Sequence, residues 1–312
     1  MWKSYDIPNV FTDYNEMLET MDLDGVSVCT WNNAHAPASI AALKAGVNVL
    51  CEKPMAMNAE QAQEMLDVAN ESGKLLMIGF VKRFEEKTAT VKKLIENGEL
   101  GEVYYGKIGY TRRRGNPGGW FSNKELSGGG PLIDLGVHVI DQVRYVMGKP
   151  NAVSAYGSTF NKVVTSGNTA AAGGYVSSDF GKSGESVNNV EDSAIGVITF
   201  DNGASIFIET SWVQHIKEGQ TYLELYGSHA GMALEPELEI AKDKDDLMIN
   251  WAPVFSPNDG FDTIFDREVA HFVDCIQNGV ECRCPAEDGL EVMKILDAIY
   301  KSAETGENVI IK

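Results

Sequence analysis

Two short segments hold residues able to do chemistry. Glu52-Lys53-Pro54 closes an apolar run, and Asp134, His138 and Asp141 recur at i, i+4 and i+7 behind Gly128-Gly129-Gly130. A residue before proline is confined to extended backbone, so Lys53 cannot enter a helix and presents its charge at a strand end. At about 100° per residue, Asp134, His138, Asp141 and Tyr145 fall within about 60° of one another on a helix. An imidazole titrates near neutrality, so beside a carboxylate it can take a proton and return it. A lysine near the same reacting atom would steady a developing negative charge. Each half also has a plain reading. The lysine stem can cover a sheet edge. The stripe can be a solvated face, or a histidine satisfied by its own i−4 carboxylate. Asp134, His138 and Asp141 have a spacing that could hold a metal, but no other clustered ligands accompany them, and no metal is expected. Leu132, Ile133, Val139, Ile140 and Val143 surround the stripe, and burying polar groups there is costly unless they have partners or a task.

The elements that must position these residues are legible in the periodicity. Residues 25–30, 47–51 and 75–79 read as buried strands. Residues 37–45 read as a helix with proline near its start and Gly46 past its end. Residues 58–72 read as a second helix, capped by Asn58 with Gln61 three residues on and stopped by Gly73. This alternation predicts a parallel sheet with right-handed crossovers, whose ligands lie beyond the carboxyl ends of the strands. Lys53 follows the second strand directly and should point into that crevice.

Beyond residue 80 the pattern changes. Residues 89–97 read as a helix and 102–111 as a strand. Residues 193–200 and 204–212 alternate apolar and polar side chains across Asp201-Asn202-Gly203, a strong hairpin signal. Residues 221–226 add a strand, and 264–276 and 287–303 return to helix. Long hairpin strands with one polar face predict an open antiparallel sheet with helices on one side. Residues 158–190, rich in Gly, Ser, Asn and Ala, read as a surface loop, or as a lid or an arm to a neighbouring subunit.

The 312 residues carry a net charge of −19 and 44% hydrophobic residues. That allows one large or two ordinary domains and excludes nucleic acid as a partner, because no basic stripe exists to displace counterions. The five cysteines are odd in number and contain no C-x-x-C pair. They fit a reducing, cytoplasmic setting. Cys282-Arg283-Cys284 could bind metal, but the sequence shows no second pair or nearby histidine to complete a site. No signal peptide or long apolar stretch is present, so no membrane span is expected.

Thr30-Trp31-Asn32-Asn33-Ala34-His35, Glu52-Lys53-Pro54, Gly79-Phe80 with Arg83-Phe84, the run from Gly128 to Asp141, Val190-Glu191-Asp192 and Ser302-Ala303 stand in that order. Together they resemble the Gfo/Idh/MocA family, named for glucose-fructose oxidoreductase and inositol dehydrogenase, over essentially the whole chain. The resemblance implies an α/β fold in two parts. Residues 1–80 would form an incomplete Rossmann-type parallel sheet that binds a dinucleotide. Residues 81–312 would form an α+β domain with a large open, mainly antiparallel sheet for substrate binding and homo-oligomerisation.

The resemblance further implies hydride exchange between NAD or NADP and a secondary alcohol of a sugar or cyclitol. Lys53, Asp134 and His138 become the catalytic set, with His138 as base in oxidation. Thr30, Trp31, Asn32, His35, Glu52, Lys53 and Pro54 become the cofactor side, with a cis Lys53-Pro54 bond. Arg83, Trp120, Asp134 and His138 become the substrate side. Two departures stand out. Trp31 occupies a position where the family usually has proline. No G-x-G-x-x-G occurs, and residues 5–19 resemble a segment that follows the family's second crossover helix. The expectation is an amino-terminally shortened chain with weak cofactor binding, impaired turnover and an exposed edge at residues 25–30. The alternative is a non-catalytic carbohydrate-binding relative.

Overall fold

The computed structural model describes residues 7–163, 177, 187–235, 237–255 and 261–312. Most of the glycine- and serine-rich stretch read as a loop lies outside these residues. The first unit runs α1 (Tyr14–Thr20), β1 (Gly25–Val28), α2 (Asn32–Lys44), β2 (Asn48–Glu52), α3 (Ala59–Ser72) and β3 (Leu76–Gly79). β1, β2 and β3 pair in that order, all parallel, so their carboxyl ends open on one side. α3 begins and ends as its sequence dictates. The Asn58 side chain accepts from the Gln61 amide at 2.9 Å, and Gly73 takes the left-handed conformation at φ 63°.

α2 departs from expectation. It starts at Asn32, capped by Trp31, and carries Pro37 inside. The extra turn sets Asn32 and His35 on one face at i, i+3 spacing.

A 3-10 turn at Val81–Phe84 leads into the second unit. It comprises α4 (Glu86–Glu96), β4 (Val103–Thr111), α5 (Lys124–Ser127), α6 (Val137–Val146), β5 (Ala152–Phe160), β6 (Ser193–Phe200), β7 (Ser205–Ser211), β8 (Gln220–Gly227), β9 (Ala230–Ala233), β10 (Glu239–Lys244), β11 (Leu247–Trp251), α7 (Phe261–Asn278), α8 (Ala286–Thr305) and β12 (Val309–Ile310). The strands form one nine-stranded sheet, ordered β11-β10-β9-β8-β4-β7-β6-β5-β12. β4 and β7 run parallel, and the other described pairs are antiparallel. The expected hairpin joins β6 to β7, with Gly203 at φ 87°. β9, β10 and β11 were not legible in the sequence.

α6 and α8 cover the inner face of this sheet. α8 lies so close to β5 that a Cβ on Gly157 would meet Ile299 Cγ2 at 2.7 Å. One continuous core runs from Val49 and Ile78 of the small sheet to Ile206 and Leu223 of the large one. α7 and α8 tie the units together. The chain between them pairs with β3 through the Met77–Pro285 bridge and an Ile78 amide bond to the Cys284 carbonyl, 2.9 Å.

Candidate active site

The carboxyl ends of β1, β2 and β3 converge on a cleft of about 720 Å³, closed on its far side by residues of the second unit. Thr30 follows β1, Lys53 follows β2 and Val81 follows β3, and all three line it. This is the place a parallel sheet offers a ligand.

Lys53 reaches across the units. Its Nζ donates to Asp134 Oδ1 at 3.0 Å and to the Asp134 carbonyl at 2.9 Å. The other carboxylate oxygen, Oδ2, accepts from Trp212 Nε1 at 2.9 Å. Asp134 is thereby fixed from both sides. Burial pushes its carboxyl up, but the Lys53 ammonium, then Arg112 and the Trp212 indole, outweigh this and hold it below the ordinary value. It is a carboxylate at any working pH.

The backbone that carries Asp134 is unusual. Leu132–Gly136 forms a π-helical turn before α6, a wide turn that recurs at functional sites. Glu191 holds its start, accepting from the amides of Gly130 (2.9 Å) and Leu132 (3.1 Å) and from the Tyr300 hydroxyl (2.8 Å). Gly130 must be glycine, because a Cβ there would meet the Glu191 carbonyl oxygen at 2.1 Å.

His138 follows Asp134 by four residues and also lines the cleft. No described residue hydrogen-bonds its ring, and so it stands open to a ligand. Burial first, then the charges of Lys53, Lys82 and Arg112, holds it well below the ordinary imidazole value, so it is neutral at pH 7. Asp141 lies about 60° further round the helix and turns inward.

The remaining expected residues divide. Thr30, Asn32, His35 and Glu52 line the cleft. His35 braces its floor, with Nδ1 at 2.7 Å from the Pro54 carbonyl and Nε2 at 3.1 Å from that of Thr30. Asn32 Nδ2 donates to the Ser127 carbonyl at 2.8 Å, fastening α2 to α5. The Lys53–Pro54 bond is cis. Trp120 lines the cleft between two other rings. It stacks on Trp31 at 5.9 Å between centroids and on Phe121 at 3.9 Å. Trp31 is exposed and, like Pro54, is not among the residues that line the cleft.

Arg83, expected on the substrate side, is not brought to the cleft. It is fully buried, with its guanidinium on Asp141 at 2.5 and 3.0 Å, on Asp288 at 2.7 Å and on the Arg283 carbonyl at 2.6 Å. Its role is to bind the 3-10 turn to α6 and α8.

Sequence reasoning missed Trp212, Lys82, Arg112 and the holding role of Glu191. Only Val190-Glu191-Asp192 left a trace, as part of the resemblance.

A small parallel sheet opening on a split lysine, carboxylate and imidazole set, beside a large mixed sheet, defines a dehydrogenase of nucleotide-cofactor type. The sequence matches the family of oxidoreductases with an NAD-binding Rossmann fold over residues 1–80, and the GFO/IDH/MocA C-terminal domain over residues 88–233. It is 36% identical to D-glucoside 3-dehydrogenase of Escherichia coli K12, across 98% of this chain and 85% of that protein. It is 29% identical to levoglucosan dehydrogenase of Pseudarthrobacter phenanthrenivorans, across 96% of this chain and 83% of that one. Its fold matches levoglucosan dehydrogenase in complex with NADH and levoglucosan, with a TM-score of 0.84 at 24% identity, covering 99% of this chain and 86% of that one. The chain belongs to the Gfo/Idh/MocA oxidoreductase family.

Proposed function

We propose that this protein exchanges hydride between NAD(P) and a secondary hydroxyl of a sugar, glycoside or cyclitol, using Lys53, Asp134 and His138. The observation that carries this reading is the meeting of those three side chains in one cleft, Lys53 from the end of β2 and Asp134, 81 residues on, with His138 from the helical segment of the second unit. The cleft suits a nicotinamide. It lies at the strand ends, it is large enough for a ring beside a hexose, and its one unpartnered imidazole faces the interior. Thr30, Asn32, Glu52 and Lys53 would hold the nicotinamide and its ribose. When bound, the nicotinamide supplies the hydride acceptor in oxidation and the donor in reduction.

The protein's part is proton and charge control. Neutral His138 takes the hydroxyl proton as the C–H bond breaks, and returns it in reduction. Lys53 has three N–H donors and uses two on Asp134, which leaves one to steady the oxygen as it gains negative charge. Asp134 keeps that ammonium in place. Trp120 offers an apolar face to a sugar ring.

The outward face of the large sheet supports a homo-oligomer. Tyr156 and Val197 are paired across strands and exposed, and Phe207 follows in the same row. A polar row is the norm on a solvated face, so a second copy of this face is the occupant. Five free cysteines suit a reducing cytoplasm. No helix among the described residues is long and apolar enough to cross a membrane.

The test is a panel of glucosides, levoglucosan and inositols with NAD and NADP, followed by nicotinamide absorbance. Lys53→Ala and His138→Ala should each lower kcat by about 10²-fold or more. Wild-type rates in either variant would remove its assigned role, and no turnover across the panel would sink the reading.

A further inference from the structure

The cluster formed by His271, Cys275 and Cys282 lies outside the cleft and is absorbed by none of the chemistry above. We propose that these three residues form a metal site for a zinc-like cation, with the fourth position left to solvent. Their ligand atoms all lie within 4.8 Å of one another.

The arrangement follows from the chain. His271 and Cys275 are one turn apart on α7 and share a face. Cys282 comes back to that face on the segment before α8. The sequence shows the Cys282-Arg283-Cys284 pair but no histidine beside it, and folding brings in both the histidine and a different cysteine partner. Cys284 takes no part, since its Sγ faces the Phe80 carbonyl at 4.0 Å.

The geometry is that of a tetrahedral edge. Cys275 Sγ lies 3.5 Å from His271 Nε2. With Zn–S of about 2.3 Å and Zn–N of about 2.0–2.1 Å, the ligand-to-ligand edge is about 3.6 Å. Nε2 is already in its ligating form, because it accepts the Arg283 amide at 2.9 Å and so carries no proton. A bound cation would take that lone pair and turn the exposed Arg283 amide to water, exchanging one hydrogen bond for another while the metal bonds are gained. All three residues are half-buried, which lets a cation and a water enter while the site stays anchored. Two thiolates and an imidazole form a soft set that selects zinc or copper(I) over magnesium or calcium. Both thiols are raised by burial, so the cation must displace their protons.

The site would act as a clip. Arg283 and Cys284 follow Cys282 directly, and the Cys284 carbonyl and Pro285 pair with β3. A metal would pin the end of α7 to the segment that borders the small sheet, one strand from Lys53.

The test uses the whole chain, reduced, chelator-treated and desalted, with zinc chloride titrated against a chromophoric chelator. One equivalent of zinc at sub-micromolar affinity is expected, with a higher Tm. His271→Ala, Cys275→Ser and Cys282→Ser should each weaken uptake at least about 100-fold while circular dichroism stays unchanged, and Cys29→Ser should not. Failure of the reduced wild type to take up zinc would overturn the proposal. So would one equivalent retained by the Cys275→Ser/Cys282→Ser double variant, or a Cys275–Cys282 disulfide that survives the reductant. None of these outcomes depends on dehydrogenase activity.

Discussion

Asp134 shows how one carboxylate can be specified from three directions. Lys53 comes from the end of β2, Trp212 from just past β7, and the carboxylate itself from a π-helical turn. The lysine, the aspartate and the histidine were legible because each sits in a short motif whose spacing carries meaning. Trp212 was not, because its partner lies 78 residues away and only the sheet brings them together. Arg83 was misplaced for the same reason. An arginine in a motif reads as a ligand-binding group until its buried carboxylates are seen. His138 gives the pH prediction. The unfolded chain takes up a proton near pH 6.5, whereas the folded ring resists it to a lower pH. Its contribution to stability is therefore complete above about 6.5 and is lost as pH falls toward the folded value. His35 shifts the same way by burial and adds to the effect. The Tm of wild type should fall more steeply between about pH 6.5 and 5 than that of His138→Asn. Parallel curves would mean that His138 is not the buried neutral group described.

At the scale of elements, the helices and the hairpin were readable because caps and turns are local chemistry. α3 obeys its Asn58 cap and its Gly73 stop. The start of α2 was misread because Pro37 marks a first turn in most helices, and here it sits in the second. β9 to β11 were invisible. They are short, at four to six residues, and none shows a long apolar–polar alternation: β9 has no polar side chain, β10 is mostly charged and β11 is mostly apolar yet exposed. What joins the elements is a buried charge network that no local pattern announces. Arg83 neutralises Asp141 and Asp288 while Arg144 and Lys149 stand near Asp288. Removing Arg83 leaves Asp141 uncompensated in the core. Arg83→Ala should cost about 3–5 kcal/mol in urea unfolding, far more than a surface arginine. A loss under about 1 kcal/mol would show that the network is not what holds the 3-10 turn to α6 and α8.

At the scale of the molecule, the alternation read in residues 193–200 predicts a face, and the structure, which adds β5 beside it where the sequence showed no strand, leaves the exposed half of both strands largely apolar. Val197→Glu should leave the fold intact and lower the mass seen in sedimentation to that of one chain. An unchanged assembly would move the interface elsewhere. The division of labour between the two units has a consequence for how such proteins diversify. On the roles proposed above, Lys53 and the residues assigned to the cofactor precede position 80, whereas Asp134, His138 and Trp120 follow it. A recombination joint at position 80 would leave Arg83, Asp141 and Asp288 on the same parent, and the Met77–Pro285 and Ile78–Cys284 contacts across the joint are made by backbone. Chimeras cut there should trade cofactor preference and sugar preference as independent heritable traits.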